Sequence, residues 1–209
     1  KTQPEFNKSL NTLGFSITAV CEHDTASAFL SACSGKTSAI ISSGTWAIVG
    51  IESTSPIVND LGFKYNIATE GGFNGHYRIL KNVMGTWILQ EIRNELNTLG
   101  QNYTFSDLED MATKAQQKQW IIDIDHPDFY QPGNMIEKVK RHCMAAYHQD
   151  PSTLNDILRC VYESLSQKYS IAIKQLEEVT HQKITDIYII GGGSKSALQC
   201  QLTADACGL

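Results

Sequence analysis

Three consecutive glycines, Gly191, Gly192 and Gly193, follow the apolar run Ile187 to Ile190 and precede a helical pattern. Residues without side chains let the backbone take unusual dihedrals and let a flat ring or a phosphate approach the main chain, while a following helix offers unpaired N–H groups. A nucleotide site fits that layout, and so does an ordinary tight turn. A second candidate is Ser42-Ser43-Gly44-Thr45, whose hydroxyls and backbone N–H groups could wrap a phosphate or simply make a polar hairpin turn. The third is Asp24, in the run His23-Asp24-Thr25-Ala26-Ser27-Ala28. A carboxylate there, between a strand end and a helix start, can serve as a general base or as a plain helix cap. Asn82, Thr86 and Gln90 recur every fourth residue and form one polar stripe, a row of hydrogen-bonding groups if it faces a cleft and a solvated face if it does not.

These groups need elements to position them. Leu13 to Cys21 reads as a strand, with Asp24 capping a helix that Gly35 ends. Thr37 to Glu52 reads as two strands joined at residues 42–45, and Ser53 to Asn66 as loop. Gly71, Gly72 and Gly75 predict a bend or a close backbone approach. Apolar positions 79, 80, 83, 84, 87, 88, 92 and 96 keep a helical period, predicting one amphipathic helix from Ile79. A further helix opens near Thr104, with Ser106 as cap and Glu109 completing a capping box. Trp120 to Ile124 reads as a short strand and residues 125–134 as a loop, in which Asp123, Asp125 and Asp128 suit a polar turn better than a calcium loop. Met135 to Tyr147 and Pro151 to Thr180 read as helices, the second capped by Asp150-Pro151. The order is mixed α/β without a simple βαβ repeat, and it carries neither the dinucleotide fingerprint nor a lysine-containing phosphate loop.

The 209 residues suffice for one large domain or two small ones, and 42% apolar with 19% charged residues is ordinary for a soluble globular chain. A net charge of −5 without basic runs disfavours nucleic acid or an anionic membrane as partner and points to a small molecule. No apolar run approaches membrane-spanning length, and the opening residues show neither a signal-peptide core nor a starting Met, as expected of a piece of a longer protein. Six cysteines without a Cys-x-x-Cys pair and six scattered histidines predict no metal site and suit small buried thiols in a reducing cytoplasm. Cys143 and Cys160, on consecutive predicted helices, would meet if those helices pack antiparallel.

Taken together, His23-Asp24-Thr25-Ala26-Ser27-Ala28, Ser42-Ser43-Gly44-Thr45-Trp46, Glu70-Gly71-Gly72 with Arg78-x-Leu80-Lys81-Asn82-x-Met84-Gly85-x-Trp87, and Gly191-Gly192-Gly193 with Ala204-Asp205-Ala206-Cys207-Gly208 resemble the second domain of the FGGY family of carbohydrate kinases. The resemblance runs over nearly the whole chain from about Leu13. It implies an actin-like ATPase (ribonuclease H-like) domain, a mixed sheet flanked by helices, in a cytoplasmic enzyme whose two domains close on ATP and a sugar with magnesium present. Asp24 would be the catalytic base for the sugar's 1-hydroxyl, His23 and Thr25 would flank the sugar, and Asn82 would hydrogen-bond it. Thr45 would contact the ATP phosphates, Gln90 the nucleotide, and Gly192 and Gly193 the adenosine side. The Ser-Ser-Gly-Thr-Trp and Arg-x-Leu-Lys-Asn runs point to L-rhamnulose, with xylulose, fuculose or glycerol as alternative substrates. A non-catalytic actin-like nucleotide-binding regulator is the rival from another class, disfavoured by the retained His-Asp-Thr run. These kinases also carry an Asp-x-Gly phosphate loop in the other domain, a role that Asp60-Leu61-Gly62 does not suit. Residues 1–209 are therefore expected to be the second, C-terminal domain of two, trimmed at both ends, and to have little kinase activity without the first.

Overall fold

The computed structural model describes residues 12, 14, 27–30, 37–115 and 120–209. The strand expected from Leu13, the His23-Asp24-Thr25 helix start and the Gly35 helix end lie outside the described residues. Among the described residues, five strands form one sheet: β1 (Ser38–Ser43), β2 (Trp46–Ser53), β3 (Ala68–Gly71), β4 (Tyr77–Met84) and β5 (Asp186–Ile190), in the order β3-β4-β2-β1-β5. β1 and β2 form the expected hairpin, with only Gly44 and Thr45 between them. Hairpin and neighbours pair antiparallel as far as β3, whereas β5 pairs parallel with β1, Ser42 lying opposite Ile190. In consequence β1, β4 and β5 all direct their carboxyl ends toward one end of the sheet.

The helices are α1 (Asp60–Lys64), α2 (Trp87–Thr98), α3 (Phe105–Thr113), α4 (Met135–Tyr147), α5 (Leu154–Thr180) and α6 (Ala197–Cys207). α5 is the spine, packing against β2, β4, α3, α4 and α6. Its stripe of Ile157, Leu158, Val161, Leu165, Tyr169 and Leu176 is buried, together with Ile41, Val49, Ile79 and Val83 from the sheet. Small polar residues also sit inside α5 without orphaned groups, because Ser164, Ser166 and Thr180 donate back to the carbonyls of Cys160, Tyr162 and Leu176 at 2.6, 3.0 and 2.7 Å. The sheet's opposite face takes Phe29, from the helical residues 27–30, so closely that a Cβ at Gly50 would stand 3.0 Å from its ring and 2.8 Å from Leu80 Cβ. Glycine is required at that point in the strand.

Several expectations are corrected. The single helix from Ile79 is a strand followed, after Gly85-Thr86, by α2. Because β4 is covered on both faces, Ile79 and Leu80 are both buried, as are Val83 and Met84, and two adjacent apolar pairs imitate a helical period. Trp120 to Ile124 alternates in burial as a half-buried strand would, yet pairs with no strand among the described residues. Side chains satisfy its backbone instead: Ile121 N–H donates to the Tyr147 hydroxyl at 3.0 Å and Ile122 N–H to Ser164 Oγ at 3.0 Å. The expected loop at 53–66 contains α1, whose N-cap Asn59 accepts from Gly62 N–H at 2.8 Å. α3 is capped by Thr104 with Asp107 in a reciprocal box, rather than by Ser106 and Glu109, and Thr153 rather than Asp150 caps α5. α4 and α5 do bring Cys143 and Cys160 together, as free buried thiols with Sγ atoms 3.6 Å apart. No helix among the described residues is long and apolar enough to cross a membrane.

Candidate functional site

Three backbone turns meet where β1, β4 and β5 end. At the hairpin tip, the Gly44 carbonyl accepts from Thr86 N–H at 2.8 Å and the Thr45 carbonyl from Gly85 N–H at 3.2 Å. A side chain at position 85 is impossible there, since its Cβ would fall 2.2 Å from the Gly44 carbonyl oxygen. The triple glycine approaches the same tip from β5. Gly191 takes φ 83°, ψ −163°, a conformation closed to other residues, with its would-be Cβ 2.8 Å from the Ser43 carbonyl. A Cβ at Gly193 would stand 2.1 Å from Ser43 Oγ, whereas around Gly192 nothing lies within 4 Å. Two of the three glycines therefore serve the close packing of the two turns, and the middle one leaves space.

That space is a cavity of 570 Å³ bounded by the hairpin tip, the start of α2, α3, α5 and the residues leading into α6. The Gln90 amide bridges Thr45 and Thr86, donating to their hydroxyls at 3.0 and 2.9 Å, and the Thr86 hydroxyl donates to the Gly44 carbonyl at 3.0 Å. Leu89 and Phe105 give the cavity apolar wall, and the Arg93 guanidinium lies 4.4 Å from the Phe105 ring centroid. Behind the tip, Ser43 Oγ and the Tyr169 hydroxyl share a buried hydrogen bond of 3.0 Å. Burial, and after it the Glu109 carboxylate, push the phenol of Tyr162 up to about 12, so this lining residue stays neutral.

The structure brings four sequence-predicted residues, Thr45, Gln90, Gly192 and Gly193, onto this one cavity. Asn82 is exposed on β4 opposite Ile48 and is not among the lining residues, while His23, Asp24 and Thr25 lie outside the described residues. The expected free N–H groups of a helix directly after the glycines are not there. A 3-10 turn, Gly192–Lys195, intervenes, Ser196 Oγ accepts from Gln199 N–H at 3.1 Å, and Glu109 Oε1 takes Leu198 N–H at 2.7 Å. Glu109 thus caps α6 from another helix rather than its own. Lys195, Phe105, Glu109 and Tyr162 were not singled out as lining residues by the sequence. Only Lys195 carried a local signal, two positions beyond the glycines. Among the aspartates of residues 123–128, Asp123 and Asp125 pair with Lys168 at 3.0 and 2.8 Å, and Asp128 faces Arg141 at 2.6 Å and His142 at 3.1 Å.

Comparison with known proteins agrees with this architecture. The pattern of the FGGY family of carbohydrate kinases, C-terminal domain, matches residues 39–209. Rhamnulokinase from Oceanobacillus iheyensis is 37% identical over 206 residues, 99% of this chain and 43% of that protein, and rhamnulokinase from Bacillus subtilis is 37% identical over 92% of this chain and 39% of its own length. The chain thus spans well under half the length of these curated relatives. Among solved structures, a ligand-bound xylulose kinase from Lactobacillus acidophilus superposes with a TM-score of 0.66 at 17% identity, covering 97% of this chain and 41% of that one. A xylulose kinase from Rhodospirillum rubrum superposes with a TM-score of 0.64 at 12% identity, over 87% of this chain and 36% of its own. The shared fold, with the match over residues 39–209, means that this chain belongs to the FGGY family of carbohydrate kinases.

Proposed function

We propose that this chain is the nucleotide-binding half of a two-domain kinase that transfers the γ-phosphate of ATP to the 1-hydroxyl of L-rhamnulose. The observation that carries the reading is the convergence of Thr45, Gln90, Gly192 and Gly193 on one cavity at the carboxyl ends of three strands, where α/β sheets bind their ligands. Its volume of 570 Å³ suits a nucleoside, and the open space at Gly192 admits a flat ring against the backbone. Gly192 and Gly193 would lie on the adenosine side with Phe105 and Leu89 as the apolar wall. Gln90 would hold the nucleotide, and Thr45 would meet the phosphates at the hairpin tip with Lys195, exposed nearby, adding positive charge. Magnesium favours hard oxygen donors such as the Thr45 hydroxyl and, when bound, neutralises phosphate charge. Asp24 would remove the proton from the attacking hydroxyl, His23 and Thr25 would flank the sugar, and Asn82 would hydrogen-bond it from β4. The rhamnulokinase relatives favour L-rhamnulose among ketoses.

The test uses the full-length kinase with Asp24→Asn, measuring turnover on L-rhamnulose and a panel of ketoses beside ATP affinity. The expected outcome is a loss of roughly 10²-fold or more in turnover with ATP affinity kept. Surviving activity would reduce Asp24 to a helix cap, and faster turnover of another ketose by the unaltered enzyme would reject the sugar assignment while leaving the kinase.

A further inference from the structure

Away from the cavity, the 3-10 turn Pro127–Tyr130 lies on α4 and sets three potential metal ligands side by side. A ring nitrogen of His126, a ring nitrogen of His142 and a carboxylate oxygen of Asp128 all lie within 4.8 Å of one another. His142 Nε2 stands 3.1 Å from Asp128 Oδ2, close to the edge of about 3.3 Å that two ligands span on a tetrahedral zinc. The histidine rings meet edge-on with centroids 4.6 Å apart, and Phe129 packs on His142 at 4.7 Å, holding that ring in place. His126 caps the turn through Nδ1, which accepts from Asp128 N–H at 3.2 Å, so backbone geometry fixes it relative to Asp128. Asp128 Oδ2 already collects positive charge, since Arg141 Nη2 lies 2.6 Å from it. Arg141 is 61% exposed and can swing into solvent, leaving its place to a cation.

We propose that His126, Asp128 and His142 form a binding site for a transition-metal dication of the zinc class, with water completing the coordination. Two imidazoles and one carboxylate suit borderline-soft ions and not magnesium or calcium, which demand oxygen. The site is separate from the cavity, yet mechanically close to it. The same loop gives Asp125 Oδ1 to Met84 N–H at 2.7 Å and the Phe129 carbonyl to Trp87 Nε1 at 2.8 Å. Those two bonds flank Gly85-Thr86, so an ion that clamps the turn to α4 braces the cavity from behind. Sequence spacing does not reveal the cluster, because its two histidines lie on different elements with no ligand at helical spacing.

Titration of the protein with cobalt(II) chloride, followed in the visible, is expected to give intense ligand-field bands saturating at one ion per chain, displaced by zinc chloride. His126→Ala, at an exposed position where it forfeits one capping hydrogen bond of a short turn, should weaken zinc binding by about tenfold or more, the size that even outer-shell partners commonly carry. Arg141→Ala should bind zinc more tightly, its competing guanidinium gone. The assignment is overturned by absence of both cobalt bands and zinc binding, by unchanged affinity in His126→Ala, or by weaker binding in Arg141→Ala. It is equally overturned if millimolar magnesium displaces the ion, or if a thiolate charge-transfer band places cobalt on a cysteine.

Discussion

Gly192 and Gly193 are neighbours in sequence with opposite surroundings, and substitution separates their roles. Gly193→Ala must push a Cβ into Ser43 Oγ, 2.1 Å away, so overpacking should lower stability by about 1–3 kcal/mol, read as a lower urea midpoint. Gly192→Ala meets nothing within 4 Å and should leave that midpoint unmoved while a methyl in the cavity weakens ATP binding; an unchanged ATP affinity would argue against the nucleotide reading. Tyr162 supplies a pH signature. Its folded-state phenol, pushed up to about 12 first by burial, holds its proton more tightly than the ordinary value of about 10 in the unfolded chain. The resulting stability is therefore fully present below about pH 10 and lost as pH rises toward 12, on the order of 2–3 kcal/mol in all. Stability measured from pH 9 to 12 should fall less steeply in Tyr162→Phe than in the unaltered protein.

At the level of elements, two helix starts depend on side chains from elsewhere in the chain. α6 starts with Glu109 of α3 on Leu198 N–H at 2.7 Å, and α4 starts with Glu95 of α2 on Met135 N–H at 2.8 Å. Glu109→Gln keeps the shape and removes the charge, and is expected to cost about 1–2 kcal/mol, with faster amide exchange confined to the first turn of α6. Uniform acceleration across all helices would contradict that local role. Such caps are invisible in the sequence, which showed Glu109 only as a local capping-box residue, because a carboxylate chooses its partner by tertiary proximity. The strand β4 was hidden for a related reason: coverage on both faces replaced the alternation that marks a half-exposed strand. Gly85 was the available signal, since it separates β4 from α2 and has no room for a side chain.

For the whole molecule, the hydrogen bond between Ser43 at the hairpin end and Tyr169 on α5, 3.0 Å long and spanning 126 residues of chain, ties the cavity to the core. Tyr169→Phe leaves the Ser43 hydroxyl buried without its partner and should cost about 1–3 kcal/mol. Adding Ser43→Ala should cost less than the two single changes summed, because both remove one interaction; strict additivity would deny the coupling. Local patterns in the sequence by themselves determined the β1–β2 hairpin, the strand before the triple glycine and the buried stripe of α5, since each depends on turn chemistry or periodicity within a few residues, while the family came from the resemblance of four motifs in order along the chain. Tertiary structure alone decided that the hairpin tip, Gly85 and the triple glycine meet, because parallel pairing of β1 with β5 joins segments far apart in the chain. It alone decided that Gly193 is a packing glycine beside Ser43, and that His126 and His142 come together, since close approach between distant elements leaves no periodic trace in the residues that permit it.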